Sequence, residues 1–210
     1  MADWTNSSGS FMRPYRTPFG APQIKFFQES TAASTAACNV GDLVRNNTIV
    51  TTGGFRVRRD ASTAGGGANL AHIGGGEILG ICVVGTTGAS AAGTGGFVDD
   101  SSRSGQPVTR QIGVAVADGV TEFLGYYKSG GAGTAPVACS SHIGQNKAVI
   151  YDSTLGKYFI DSTNSTAALV YVQITGFPDY VLGDTGGVPA IFKFLSSNVH
   201  PSVRIGGPSV

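Results

Sequence analysis

The chain is a succession of short apolar, β-branched and aromatic runs, each cut off by glycine within a few residues. With 32 glycines in 210 residues, this punctuation leaves no room for a helix of useful length. The runs fall near residues 24–28, 42–45, 54–59, 77–84, 112–117, 122–127, 147–151, 157–161, 169–175 and 190–195. No longer window carries a helical stripe, and the alanine-rich residues 31–37 reach a single turn at most. Several runs alternate with the two-residue period of a strand. Phe55 and Val57 face away from Arg56 and Arg58, and Phe192 and Phe194 oppose Lys193. Residues 78–84 and 169–174 are almost continuously apolar, the pattern of strands covered on both faces. Residues 151–157 (YDSTLGK) read as a hairpin, because Asp152 and Ser153 can bond the local backbone and Gly156 can take positive φ.

These signals predict an all-β fold, an antiparallel β-barrel or β-sandwich with long Gly-rich loops and an extended N-terminal arm. The arm is residues 1–22, where Pro14, Pro18 and Pro22 exclude a helix while Trp4, Phe11, Tyr15 and Phe19 supply spaced aromatics. Residues 23–196 form the β-rich domain, divisible into two β subdomains near 23–128 and 137–196, and residues 197–210 form a C-terminal tail. Residues 61–76, 85–105 and 129–135 are rich in Gly, Ala, Ser and Thr and too poor in large apolar groups to build a core, so they read as loops. No repeat of fixed period is visible, which argues against a solenoid or propeller.

Charge narrows the partners. Fourteen Lys and Arg against thirteen Asp and Glu leave a formal charge of +1, and 13% of residues are charged, about half the usual share. Such a surface has no footprint for a nucleic-acid backbone or an anionic bilayer, and neither nucleic acid nor membrane is expected as a partner. A weakly charged chain also repels its own copies poorly, which favours assembly. Residues 1–10 lack a signal peptide's basic and apolar regions, and no apolar stretch reaches spanning length, so synthesis in a reducing cytoplasm is expected.

Candidate chemistry is sparse. Cys38, Cys82 and Cys139 are odd in number and widely spaced, giving neither a disulfide framework nor a metal-binding pair, and Cys82 reads as a small buried hydrophobe. His72, His142 and His200 lack the company of a triad motif or a metal spacing; Cys139 and His142 lie three residues apart without a group to orient them. The acidic groupings Asp99–Asp100, Asp118 with Glu122, and Asp179 with Asp184 fit turn and strand-edge solvation better than glycoside hydrolysis or calcium binding. Neither Gly65-Gly66-Gly67 nor Gly74-Gly75-Gly76 is followed by the Lys-Ser or Lys-Thr of a phosphate loop. Arg56, Arg58 and Arg59 form the densest basic feature and read first as a solvated strand face. No catalytic, cofactor-binding or metal-ligating residue is therefore expected, and the chain reads as a non-enzyme.

Several segments together resemble the decoration, or cement, proteins of tailed bacteriophages. These are Gly41-Asp42-Leu43-Val44, Ile78-Leu79-Gly80-Ile81, residues 114–123 (VAVADGVTEF), residues 151–166 (YDSTLGKYFIDSTNST), and Gly183-Asp184-Thr185-Gly186-Gly187 followed by Phe192-Lys193-Phe194-Leu195. The resemblance runs over residues 24–196. It implies a virion protein on the outer capsid surface that binds the major capsid protein, bridges neighbouring capsid subunits and assembles as a homotrimer. The long glycine loops and the proline-aromatic arm depart from that pattern. The arm residues Trp4, Phe11, Tyr15 and Phe19 are the expected anchors, since aromatics dominate interface energetics, with Arg13 and Arg16 supplying charged contacts. The alternative reading is a phage receptor-binding or tail-associated carbohydrate-binding β module, which a glycan array would distinguish.

Overall fold

The computed structural model describes residues 12–18, 20–29, 38–46, 56–59, 78–85, 111–128, 140–152, 157–163, 170–178, 188–200 and 203. Its described strands are β1 (Arg13–Arg16), β2 (Ile24–Glu29), β3 (Leu43–Asn46), β4 (Arg56–Arg59), β5 (Ile78–Val84) and β6 (Gln111–Val116). They continue with β7 (Glu122–Lys128), β8 (Asn146–Asp152), β9 (Lys157–Asp161), β10 (Val170–Gly176) and β11 (Val188–Phe194). The fold is all-β, and every run read from the sequence overlaps a described strand, with residues 54, 55, 77 and 169 outside the described residues; β1 is the addition.

Of barrel and sandwich, the chain takes the barrel. Strands β2-β4-β3-β5-β6 close on themselves, β2 pairing antiparallel with β6 and parallel with β4. The remaining strands form the sheet β1-β7-β11-β10-β8-β9, and an additional parallel pairing of β7 with β9 closes a second ring of five, leaving β1 outside it. The two rings have the same topology. In each, the first strand pairs parallel with the third and antiparallel with the fifth, the second pairs with the third and fourth, and the fourth pairs with the fifth.

The likeness extends to register. Leu43 opposite Ile81 corresponds to Asn146 opposite Gln173, and Val44 opposite Gly80 to Lys147 opposite Val172. Both ladders then slip by one residue before Arg45 opposite Ile78 and Ala148 opposite Val170. Cys82 opposite Val114 corresponds to Ile174 opposite Phe192, and a second irregularity follows at the same place in both, before Val84–Gly113 and Gly176–Ile191. On the first strands, Lys25 corresponds to Phe123 and Phe26 to Leu124. A bulge is a built feature of a ladder, so two bulges at matching positions mark one template used twice. The expectation of no fixed-period repeat was about spacing, and spacing is what varies between the two units.

The units are joined by a short connection from β6 to β7. Asp118 accepts hydrogen bonds from the Val120 amide (3.0 Å), the Thr121 amide (2.6 Å) and the Thr121 hydroxyl (2.8 Å). Asp118 and Thr121 are both buried, and so the junction is a hydrogen-bonded turn. The chain ends then cross over. β1 pairs with β7 of the second barrel and also packs on β5 of the first, with Met12 buried beside it. Beyond β11, a 3-10 turn at Ser196–Asn198 leads to Val199, which bridges to Ile78 of β5, and His200 donates its amide to the Ile78 carbonyl at 2.8 Å. Val199 and Val203 belong to the same apolar core as Leu43, Leu79 and Phe123.

These crossings explain why β5 is buried from Ile78 to Cys82 on both faces, as its apolar run predicts. In β10 the similar run behaves differently: Val172 and Ile174 are buried, whereas Gln173 and Thr175 are half-buried. Gln173 turns outward and donates to the Gly144 carbonyl at 3.1 Å, so this strand has one core face. Phe192 and Phe194 are buried and Lys193 is half-buried, in keeping with their alternation. Their rings meet Phe123 at centroid distances of 5.8 and 5.2 Å, the second edge-on. The 151–157 hairpin is formed by β8 and β9, with Tyr151 opposite Tyr158.

Candidate binding surface

Glu29, Asp42, Asp118, Glu122 and His142 are each held in contacts within the chain. Glu29 is buried and accepts the Cys38 amide at 2.6 Å, and Asp42, also buried, accepts the Asn39 amide at 2.7 Å. These carboxylates hold the chain as it enters β3. Burial, reinforced by Glu29, pushes the Cys38 thiol strongly upward, and burial followed by Asp42 pushes Cys82 up to about 12. Both thiols stay protonated at neutral pH, and a protonated thiol is a poor nucleophile and metal ligand. Cys82 is thus the small buried hydrophobe expected of it.

His142 shares a 2.8 Å hydrogen bond between its Nδ1 and the Tyr127 hydroxyl, and the two rings lie edge to face. Burial, then the nearby Lys147 ammonium, lowers its pKa from the ordinary value. Lys147 itself is buried and donates to the Ser162 carbonyl at 2.7 Å. Asp118 and Glu122 divide into two structural duties, the interbarrel turn and an ion pair with Arg16. Among the described residues no group of three or more His, Cys, Asp or Glu is placed to hold a metal ion. Cys139, His72, the Asp99–Asp100 and Asp179–Asp184 groupings and the glycine triplets lie outside the described residues, as do the side chains of β4.

Of the arm residues, Trp4, Phe11 and Phe19 lie outside the described residues, while Arg13, Tyr15 and Arg16 are brought together on β1. Arg13 stands opposite Leu124 and Arg16 opposite Glu122. The Arg16 guanidinium pairs with the Glu122 carboxylate and lies 5.6 Å from the centre of the Tyr15 ring. Arg16 is therefore engaged within the chain.

What the described surface does offer is apolar. Its exposed large hydrophobic residues are Tyr15, Ile24, Phe26, Val40 and Ile143. Ile24 and Phe26 share the outer face of β2, and the Phe26 ring lies over Gly113, where an added Cβ would stand 3.3 Å from Cε1. Val40 and Ile143 occupy the same place in the two barrels. Asp42 donates its amide to the Asn39 carbonyl at 3.0 Å, and Gln145 donates to the His142 carbonyl at 3.1 Å. Gly41 and Gly144 follow with φ of 91° and 85°, and each donates its amide to the adjacent strand at 2.8 Å, to the Cys82 and Ile174 carbonyls respectively. Each is a four-residue turn whose third position needs glycine, as in type II geometry, and whose second tolerates most side chains. The turn does not require a β-branched apolar residue there, yet both carry one, 53% and 49% exposed. Sequence reading passed over these positions; the shared signal is an apolar residue before glycine at a strand entrance.

No protein-family model matches this chain, and neither a curated protein nor a solved structure is matched to it.

Proposed function

We propose that the chain is a virion structural protein that binds the outer surface of a capsid lattice and stabilises it by bridging major capsid subunits, as a homotrimer. The observation that carries this reading is the turn displayed twice, with Val40 and Ile143 at matching positions on two barrels joined by a hydrogen-bonded connection. One body with two like contacts suits a partner that itself repeats, as neighbouring lattice subunits do. Once one contact is made, the second forms at high effective concentration. A ligand that binds only the closed arrangement of its partners stabilises that arrangement by mass action. The resemblance in the sequence and the low charge point the same way.

The test is co-sedimentation of the purified chain with empty capsid shells assembled without it. Val40→Asp and Ile143→Asp should each weaken binding about tenfold, the loss expected for removing one half-exposed aliphatic contact of about 1.4 kcal/mol. The double variant should lose more than either single one. Failure of the wild-type chain to sediment with shells would end this reading.

A further inference from the structure

The two matched turns differ in what holds them. In the first barrel the turn from Asn39 to Asp42 is locked by its own last residue, whose carboxylate accepts the Asn39 amide at 2.7 Å. In the second barrel the last residue is Gln145, whose side chain donates to the Ser141 carbonyl at 2.8 Å instead. There the first residue makes the deeper contact. His142 stands where the first barrel has Asn39, and its ring is tied to buried Tyr127 of β7 by the 2.8 Å hydrogen bond and the edge-to-face contact. Tyr127 is backed in turn by Phe177, with 5.5 Å between ring centres. The backbone of the turn then meets β10. The Gly144 amide goes to the Ile174 carbonyl, the Ile174 amide returns to the Gln145 carbonyl at 3.0 Å, and the Gln173 side chain donates to the Gly144 carbonyl. Ile143 is displayed between the ring anchor and these backbone bonds.

We infer that the second turn is a pH gate: neutral His142, anchored on Tyr127, holds Ile143 in its binding position, and protonated His142 leaves that anchor and releases the turn. The Asn39 turn has no such proton to gain and keeps Val40 displayed. An imidazolium donates from both ring nitrogens, so where the Tyr127 hydroxyl donates to Nδ1, a second proton ends that bond as built. In either tautomer the charged ring is set against the nearby Lys147 ammonium, which is buried and donates to the Ser162 carbonyl. Burial and Lys147 both lower the ring's pKa, so the proton favours a ring that has moved to water. Among the described residues, the titratable or charged groups facing His142 are Tyr127 from β7 and Lys147 from β8. From β10 come only amide and carbonyl groups, which do not titrate. The path to water is short, because His142 is half-buried and Ser141, Ile143, Gly144 and Gln145 are all exposed. The consequence for a partner rests on the reading of the two turns as contacts: as pH falls, one contact is given up and the other is kept.

The gate itself needs no shell and is tested first on the full chain alone, by NMR over a series of pH values. The His142 ring gives its own midpoint, and amide hydrogen exchange reports the turn. One pH unit below that midpoint about nine in ten rings carry the proton. Gly144 and Gln145 should there have lost at least about tenfold of the protection they show one unit above it. The Gly41 and Asp42 amides of the matching turn are the control and should keep theirs. His142→Asn, which gives the second turn the residue of the first, should abolish the loss. The gate is overturned by a ring that titrates while the turn stays protected, or by a ring that stays neutral until the chain unfolds. It is equally overturned by a loss that Gly41 and Asp42 share or that persists in His142→Asn. Co-sedimentation with shells then reads the consequence. Val40→Ser, which relies on the Ile143 turn, should bind about tenfold more weakly one unit below the midpoint than one unit above it, whereas Ile143→Ser should bind equally at both. The same pH dependence in both variants would overturn the gate's part in binding. A wild-type chain that sediments with shells at no pH ends the reading of the turns as contacts, and the exchange rates still decide the gate.

Discussion

Replacing Asp118 with alanine tests whether the two barrels are held by a built junction. The carboxylate receives the Val120 amide, the Thr121 amide and the Thr121 hydroxyl. Val120 is half-buried and can turn to water, but Thr121 is 1% exposed, so its amide is stranded when the carboxylate goes. A stranded buried donor costs about 1–3 kcal/mol, and loss of the hydroxyl's charged acceptor adds about 1 kcal/mol. The expected destabilisation is about 3 kcal/mol, corresponding to a fall in Tm of about 6–12 °C for a chain of this size. Asp118→Asn keeps one acceptor oxygen for the two amides, while its NH2 replaces the oxygen that accepts the Thr121 hydroxyl and can donate to that hydroxyl instead, so it should cost about 1 kcal/mol. Urea titration followed by far-UV circular dichroism gives both values, with the slope against urea unchanged if the denatured state is unaltered. An Asp118→Ala variant within about 0.5 kcal/mol of wild type, the usual range for an unremarkable surface site, would refute the account of the junction.

The matched turns give a paired prediction: Gly41→Ala and Gly144→Ala, at φ of 91° and 85°, should each cost about 1–2 kcal/mol in urea unfolding. Unequal costs would mean that the turns are not equivalent. Because the Cys82 pKa in the folded chain, about 12, is raised above the ordinary 9.0, its contribution to stability is complete below pH 9. That contribution is lost as pH rises toward 12, and Cys82→Ala should flatten part of this alkaline slope. The thiols should also resist alkylation at pH 8 until the chain is unfolded. His142 has the opposite sign: its pKa is lowered, so stability should fall as pH drops below the ordinary histidine value of 6.5, and His142→Asn should remove that dependence. Tyr127→Phe, which deletes the hydroxyl bonded to His142, should cost about 1 kcal/mol at pH 7.5.

Strand identity was legible because it rests on local chemistry. The alternation of Phe192, Lys193 and Phe194 and the turn residues between Tyr151 and Lys157 are written within a few positions of one another. The closure of each barrel depends on pairings such as Gln28 with Arg56 and Tyr127 with Ile160, which no local pattern encodes. The duplication was hidden for two reasons. The loops between matching strands differ in length, so corresponding residues such as Lys25 and Phe123, or Ala115 and Lys193, are not separated by a constant interval. Their side chains also differ, and at the entrance turn only the glycine demanded by positive φ recurs. β1 escaped notice because Pro14 suppresses the strand signal; its conformation is supplied by the edge of β7. The exposure of Ile24 and Phe26 was equally invisible, since an apolar run announces a strand without saying which face meets the core.

The crossed chain ends have a consequence for how the protein is made. The segment that pairs with β7 is synthesised before either barrel, and Val199, which bridges to Ile78 of β5, comes after both. The first barrel can close while the second is still being translated, but its β5 keeps an apolar flank until Val199 emerges. Cleavage between β6 and β7 would accordingly leave two fragments clasped to each other, each holding a piece the other needs, rather than a pair of independent domains.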